Sequence, residues 1–155
     1  MIEELLRFAH VLGATVLLGT GAGIAFFMVL SHRSRDPALI AHVAGIVVIA
    51  DTVFTATAAI LQPITGTLLA WQIGWSLWEP WLLTSLILYV VVGAFWLPVV
   101  WIQLQMRNLA RVSRDTQTPL PGRYFTLHRI WFACGFPAFF SVMAIVWLML
   151  TKPVL

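Results

Sequence analysis

From Leu5 to Leu30 the chain runs for the length of a bilayer with Arg7 as its sole formal charge. Three more apolar runs follow, Pro37–Trp71, Trp81–Met106 and Tyr124–Thr151. A helix needs about 20 apolar residues to cross a hydrocarbon core about 30 Å thick. Inside that core each backbone N–H and C=O must be satisfied within its own segment, which selects the α-helix for runs of this length. The sequence therefore predicts an all-α membrane protein, a bundle of four transmembrane helices at about 5–30, 37–71, 81–106 and 124–151. Pro63 predicts a kink in the second helix near Gln62. Composition agrees, with 61% of residues hydrophobic and 10% charged, against about 45–50% and 25% in soluble domains. Mean hydropathy is +0.93. A chain of 155 residues, 1–155, reads as one domain.

The connections assign an orientation. Arg33 and Arg35 lie in the polar first connection, and Arg107, Arg111, Arg114, Arg123 and Arg129 lie in or beside the third. Only Arg7 and Lys152 lie at the opposite side. Basic residues stay cytoplasmic, so both Arg-bearing connections are expected in the cytoplasm and both termini outside. Trp71, Trp75, Trp78 and Trp81 then form an aromatic belt at the outer interface. The net charge of +3 reports this orientation and no nucleic-acid partner. Glu3 and Glu4 stand where a secretory signal would be basic, so the first run reads as a helix that is retained. A single cysteine, Cys134, rules out an intrachain disulfide.

No P-loop, C-x-x-C, H-E-x-x-H or G-x-S-x-G motif occurs, and the scattered acids and lone cysteine argue against zinc or iron–sulfur sites. Chemistry must then come from polar residues on inward helix faces, where a membrane bundle hides them. Helical spacing gives four stripes: His10, Gly13, Leu17, Gly21; Asp51, Thr55, Ala58, Gln62, Gly66; Ser85, Tyr89, Gly93, Trp96, Val100, Gln103; and His128, Trp131, Gly135, Ala138, Val142. Counted from the cytoplasmic ends at about 1.5 Å per residue, His10, Tyr89 and Gln62 lie about 27–37 Å up, at an outer level. Asp51 lies about 21 Å up, and His42, Gln103 and His128 only about 6–8 Å up.

An intramembrane carboxylate costs at least about 2.5 kcal/mol at a helix centre, which makes Asp51 the candidate catalytic or proton-carrying group. Its structural alternative is a polar contact with Tyr89 or Thr55. His10 has the alternative of a neutral imidazole bonded to a nearby carbonyl or to Gln62. His32 and His128 are expected in the headgroup region with the arginines, and His42 faces away from the Asp51 stripe. Gly19 and Gly23 form a G-x-x-x-G pattern suited to helix packing.

"HVLGA" in the first helix, "ADTVFT" and "LQPITG" in the second, "WLLTSLILYV" and "WLPVVWIQ" in the third, and "RIWFACGFPAFF" and "MLTKP" near the end resemble the bacterial predicted integral membrane proteins grouped as a domain of unknown function, number 2269. A more distant likeness is to HemJ-type protoporphyrinogen oxidases and to CopD-type copper-resistance domains, four-helix proteins with an early histidine. The pattern Arg129, Pro137, Lys152, Pro153 is similar to that of the HemJ type. Ser85 and Tyr89 replace its Lys and His, and Cys134, Gly135 and Phe136 replace its Asn-Glu region.

The resemblance implies a multi-pass protein of a bacterial inner membrane that binds haem b through His10 as axial metal ligand. Gly13 would admit the porphyrin edge, Arg7 would pair a propionate, and Gln62 and Tyr89 would complete the cofactor site. The implied role is redox: electron transfer, or oxidation of a membrane-soluble or porphyrin-like substrate. The partners are the lipid bilayer and either a second copy of the chain or a membrane redox protein. The alternative is a non-catalytic component or anchor subunit, or a bundle that conducts ions or protons through Asp51.

Overall fold

The structure, a computed structural model, describes residues 1–153. Among the described residues five α-helices form four membrane-length rods: α1 (Ile2–Ser34), α2 (Pro37–Ala50), α3 (Ala56–Ile73), α4 (Pro80–Asp115) and α5 (Gly122–Thr151). A π-helical turn, Asp51–Thr55, joins α2 to α3 without a break, so the second span runs Pro37–Ile73. All four rods are long and apolar enough to cross a membrane.

Helix ends follow local chemistry. Asp36 caps α2 by accepting the Ala38 N–H at 2.9 Å, and Pro37 and Pro80 open α2 and α4, where a missing N–H costs nothing. Gly74 ends α3 at φ 84°, a left-handed conformation that suits glycine. Each rod encloses its expected apolar run and extends beyond it, most of all α4, which continues through polar Arg107–Asp115.

Pro63 stands inside α3, as the sequence places it. Helical geometry passes through Pro63, and the irregular turn lies about two turns earlier, at Asp51–Thr55. Proline at 63 has no N–H for the carbonyl of Ala59. The Tyr89 hydroxyl on α4 donates to that carbonyl instead. The freed group is thus satisfied by a neighbouring helix, as a bilayer core requires.

The rods pack as two hairpins, α1 against α2 and α3, and α4 against α5. They meet chiefly through α2 and α4. Near the Arg-rich end all four rods contribute to one apolar core, with Met28, Ile40, Ala44, Met106, Ala110 and Tyr124 fully covered. A smaller cluster of Ala70, Trp81 and Leu82, flanked by Leu148 and Met149, closes the Trp-rich end. The two Arg-bearing connections border a common hollow lined by Arg35, Ser113 and Arg114, so they lie at the same end of the bundle. Phe26, Phe27, Ile49, Phe140 and Trp147 face outward, as side chains in contact with lipid do.

His32 and His128 lie at the Arg-bearing end, and their rings also stack on each other between α1 and α5, centroids 3.4 Å apart and 8° from parallel. The Tyr124 hydroxyl lies 3.4 Å from His32 Nδ1. Gly19 and Gly23 pack against nothing in the chain, since a Cβ on either would meet no atom within 4 Å. His42 is exposed, away from the Asp51 stripe.

Candidate functional site

Between the two apolar clusters the hairpins part and leave a cavity of about 650 Å³. Its wall combines Leu17 and Gly21 of α1, Asp51 and Thr55 of the π-turn, Tyr89, Gly93, Trp96 and Gln103 of α4, and Trp131, Gly135 and Phe136 of α5. Glycine makes the space: a Cβ on Gly21, Gly93 or Gly135 would meet nothing within 4 Å. The volume lies within the range of small-molecule sites, about 300–1,000 Å³.

Asp51, only 4% exposed, is the acid of this wall. Its Oδ1 accepts from Trp96 Nε1 at 3.3 Å. Gln103 lies on its other side, 1% exposed, and its amide orientation follows from chemistry. Indole N–H can only donate, so the Gln103 carbonyl faces Trp131 Nε1 at 3.3 Å and the amide nitrogen donates to Asp51 Oδ2 at 2.9 Å. Both carboxyl oxygens therefore act as acceptors. The π-turn sets a second polar group beside them: the Thr55 hydroxyl is buried and has no hydrogen-bond partner. A π-turn shifts the register of a helix by one residue, and such turns concentrate at functional sites.

His10 belongs to a different cluster, nearer the Trp-rich end. Its Nδ1 lies 3.0 Å from Thr65 Oγ1. Gln62 Nε2 donates to the His10 backbone carbonyl at 3.0 Å. The imidazole packs on Gly66, with Cε1 2.9 Å from where a Cβ would stand. Gln62 also fills the space at Gly13, with Nε2 3.2 Å from a Cβ position there. This is a clamp between α1 and α3.

The residues around His10 do not fit the haem that the resemblance implies. A porphyrin edge at Gly13 would need the volume that Gln62 holds, the His10 ring packs by its Cε1 on Gly66, and its Nδ1 faces Thr65. The cavity between the hairpins is not lined by His10, Gly13 or Gln62. Arg7 is turned to an exposed pair with Glu3 and does not reach the cluster. Tyr89 lines the cavity and bonds to Ala59, away from His10. The structure thus brings His10, Gly13 and Gln62 together and separates Arg7 and Tyr89 from them.

The family model described as predicted integral membrane protein (DUF2269) matches residues 4–153. The chain belongs to this family. No curated protein and no solved structure matches it. The match spans all four rods of the DUF2269 chain, and hence both the cavity and the His10 clamp.

Three side chains of the cavity site, Trp96, Gln103 and Trp131, were not singled out from the sequence as functional. Each lay on an inward stripe, and helical spacing was the signal that could have found them. Thr65, the partner of His10, carried no such signal, because threonine in a membrane helix usually bonds its own preceding turn, as Thr65 also does to Leu61.

Proposed function

We propose that this protein takes a lipid-soluble molecule from the bilayer into the cavity between its hairpins, with Asp51 and Thr55 as the polar contacts that orient it. One observation carries the reading. Two polar side chains, 4% and 6% exposed, border a mostly apolar space, and the Thr55 hydroxyl, set beside the Asp51 carboxyl, makes no well-formed hydrogen bond among the described residues. A buried hydroxyl without a partner costs about 1–3 kcal/mol, a loss that a ligand's polar group would recover. Apolar walls with a few convergent polar groups are the usual form of a small-molecule site.

The arginine distribution supports placing both termini on the non-cytoplasmic side, and a bacterial inner membrane is what the resemblance implies. The Gln62 side chain against Gly13 and the His10 ring against Gly66 weigh against a haem at His10. The reading therefore rests on the cavity and on no cofactor.

Solvent extraction of the purified protein, followed by mass spectrometry, tests it. The expected result is a defined lipophile in near-stoichiometric amount that is missing from Gly93→Leu protein, whose new side chain fills the cavity. The same extract from both proteins would overturn the proposal.

A further inference from the structure

Resting on the reading just given, we infer that the cavity's occupant is a lipophilic cation, with its charge beside Asp51 and its apolar groups against Trp96, Trp131 and Phe136. Charge complementarity carries the argument. Asp51 lies near the midpoint of the Pro37–Ile73 span and is 4% exposed. Trp96 donates to one of its oxygens and Gln103 to the other. Both oxygens thus serve as acceptors, the role a carboxylate fills. Neutral donors orient a carboxylate without neutralising it. Among the described residues no Lys, Arg or His lines the cavity, so the wall offers an acid with no counter-ion. A carboxylate at this depth stays ionised only beside a partner of opposite sign, and otherwise takes up a proton.

The rest of the wall suits a cation with apolar substituents. Trp96, Trp131, Phe132, Phe136 and Phe139 border the space, and aromatic faces attract cations through the ring quadrupole, tryptophan best of all. The Thr55 hydroxyl, buried beside Asp51 and unpartnered, offers an oxygen to the same charge. An anionic headgroup would meet Asp51 with like charge. A neutral lipophile would fill the volume and leave the carboxylate unpaired.

A matched pair of probes separates charge from shape: methyltriphenylphosphonium and its neutral isostere 1,1,1-triphenylethane. Binding is measured in detergent, with Gly93→Leu protein correcting for uptake by micelles. The wild-type protein is expected to prefer the cation by about a hundredfold, the ratio that corresponds to the cost of an unpaired charge at mid-membrane. Asp51→Asn should abolish that preference and leave binding of the neutral probe intact, with Asp51→Glu retaining it. Size-exclusion elution and circular dichroism verify that each variant is folded. A cation-to-neutral ratio near one in the wild-type protein overturns the inference without recourse to any variant, and so does undiminished preference in folded Asp51→Asn. Either result leaves the cavity itself standing. An extract that contains the same lipophile whether or not Gly93→Leu fills the cavity removes the cavity reading, and the cation with it.

Discussion

His10 rests on Gly66, its Cε1 2.9 Å from where a Cβ would stand, while its Nδ1 lies 3.0 Å from Oγ1 of the adjacent Thr65. An ionisable side chain in an apolar run is thereby explained by helix pairing. The glycine lets the imidazole lie close to α3, and the threonine gives it a polar partner where water is scarce. Such interhelical bonds contribute about 0.6 kcal/mol on average and up to about 1.7 kcal/mol.

Gly66→Ala puts a Cβ 2.9 Å from His10 Cε1, so the ring must shift and its bond to Thr65 is strained. The expected loss is about 0.5–1.5 kcal/mol in detergent unfolding, net of the higher helix propensity of alanine. In a His10→Ala background the clash is gone, and Gly66→Ala should become neutral or stabilising. Additive effects of the two substitutions would contradict the contact. The same packing predicts that protein made with ample haem shows no Soret absorbance that depends on His10.

Gln103→Leu tests the polar wall of the cavity. It leaves Asp51 Oδ2 and the Trp131 N–H without their shared partner. One or two orphaned groups cost about 1–3 kcal/mol each, so the variant is expected to unfold at clearly lower denaturant. Gln103→Asn, too short to span both groups, should recover little of the loss. Wild-type stability in Gln103→Leu would mean that the network holds nothing together.

Helical spacing in the sequence foretold the inward faces well and their pairing poorly. Asp51, Thr55, Ala58 and Gln62 are all buried, as the second stripe requires, even though a π-turn lies among them. Lipid-facing and inward residues differ in polarity, so spacing alone reveals the face. Depth depends instead on where each helix ends. Counting α4 from Arg107 put Gln103 about 6 Å up, far below Asp51. The helix continues to Asp115, which raises Gln103 to about 18 Å, level with Asp51 at about 21 Å. Polar residues extend a helix past the membrane without any apolar signal, so the Asp51–Gln103 pair was hidden by a misplaced helix end. The filling of Gly13 by Gln62 was hidden for another reason: a glycine in a sequence marks space but not what occupies it.

Orientation is open to a direct test. Fusions of a periplasm-active reporter to the C-terminus, and to the connection near Trp75, are expected to be active. Fusions within the Arg-bearing loop at 116–121 should favour a cytoplasm-active reporter. Strong cytoplasmic activity at the C-terminus would reverse the orientation taken from the arginines.

The contact between Tyr89 and the Ala59 carbonyl yields a prediction that links two distant substitutions. Ala59 lacks an intrahelical partner because residue 63 is proline, and the Tyr89 hydroxyl takes its place. Tyr89→Phe should therefore strand a buried carbonyl, costing about 0.5–2 kcal/mol in detergent unfolding. Pro63→Ala restores an N–H at 63 that can reach Ala59 within the helix. In that background the hydroxyl becomes dispensable, and Tyr89→Phe should cost little. The sign of the coupling is the test: the double variant must be more stable than the sum of the single effects predicts. A Tyr89→Phe cost that is equally large with proline or alanine at 63 would show that the hydroxyl acts elsewhere, for instance on the contents of the cavity that its ring lines.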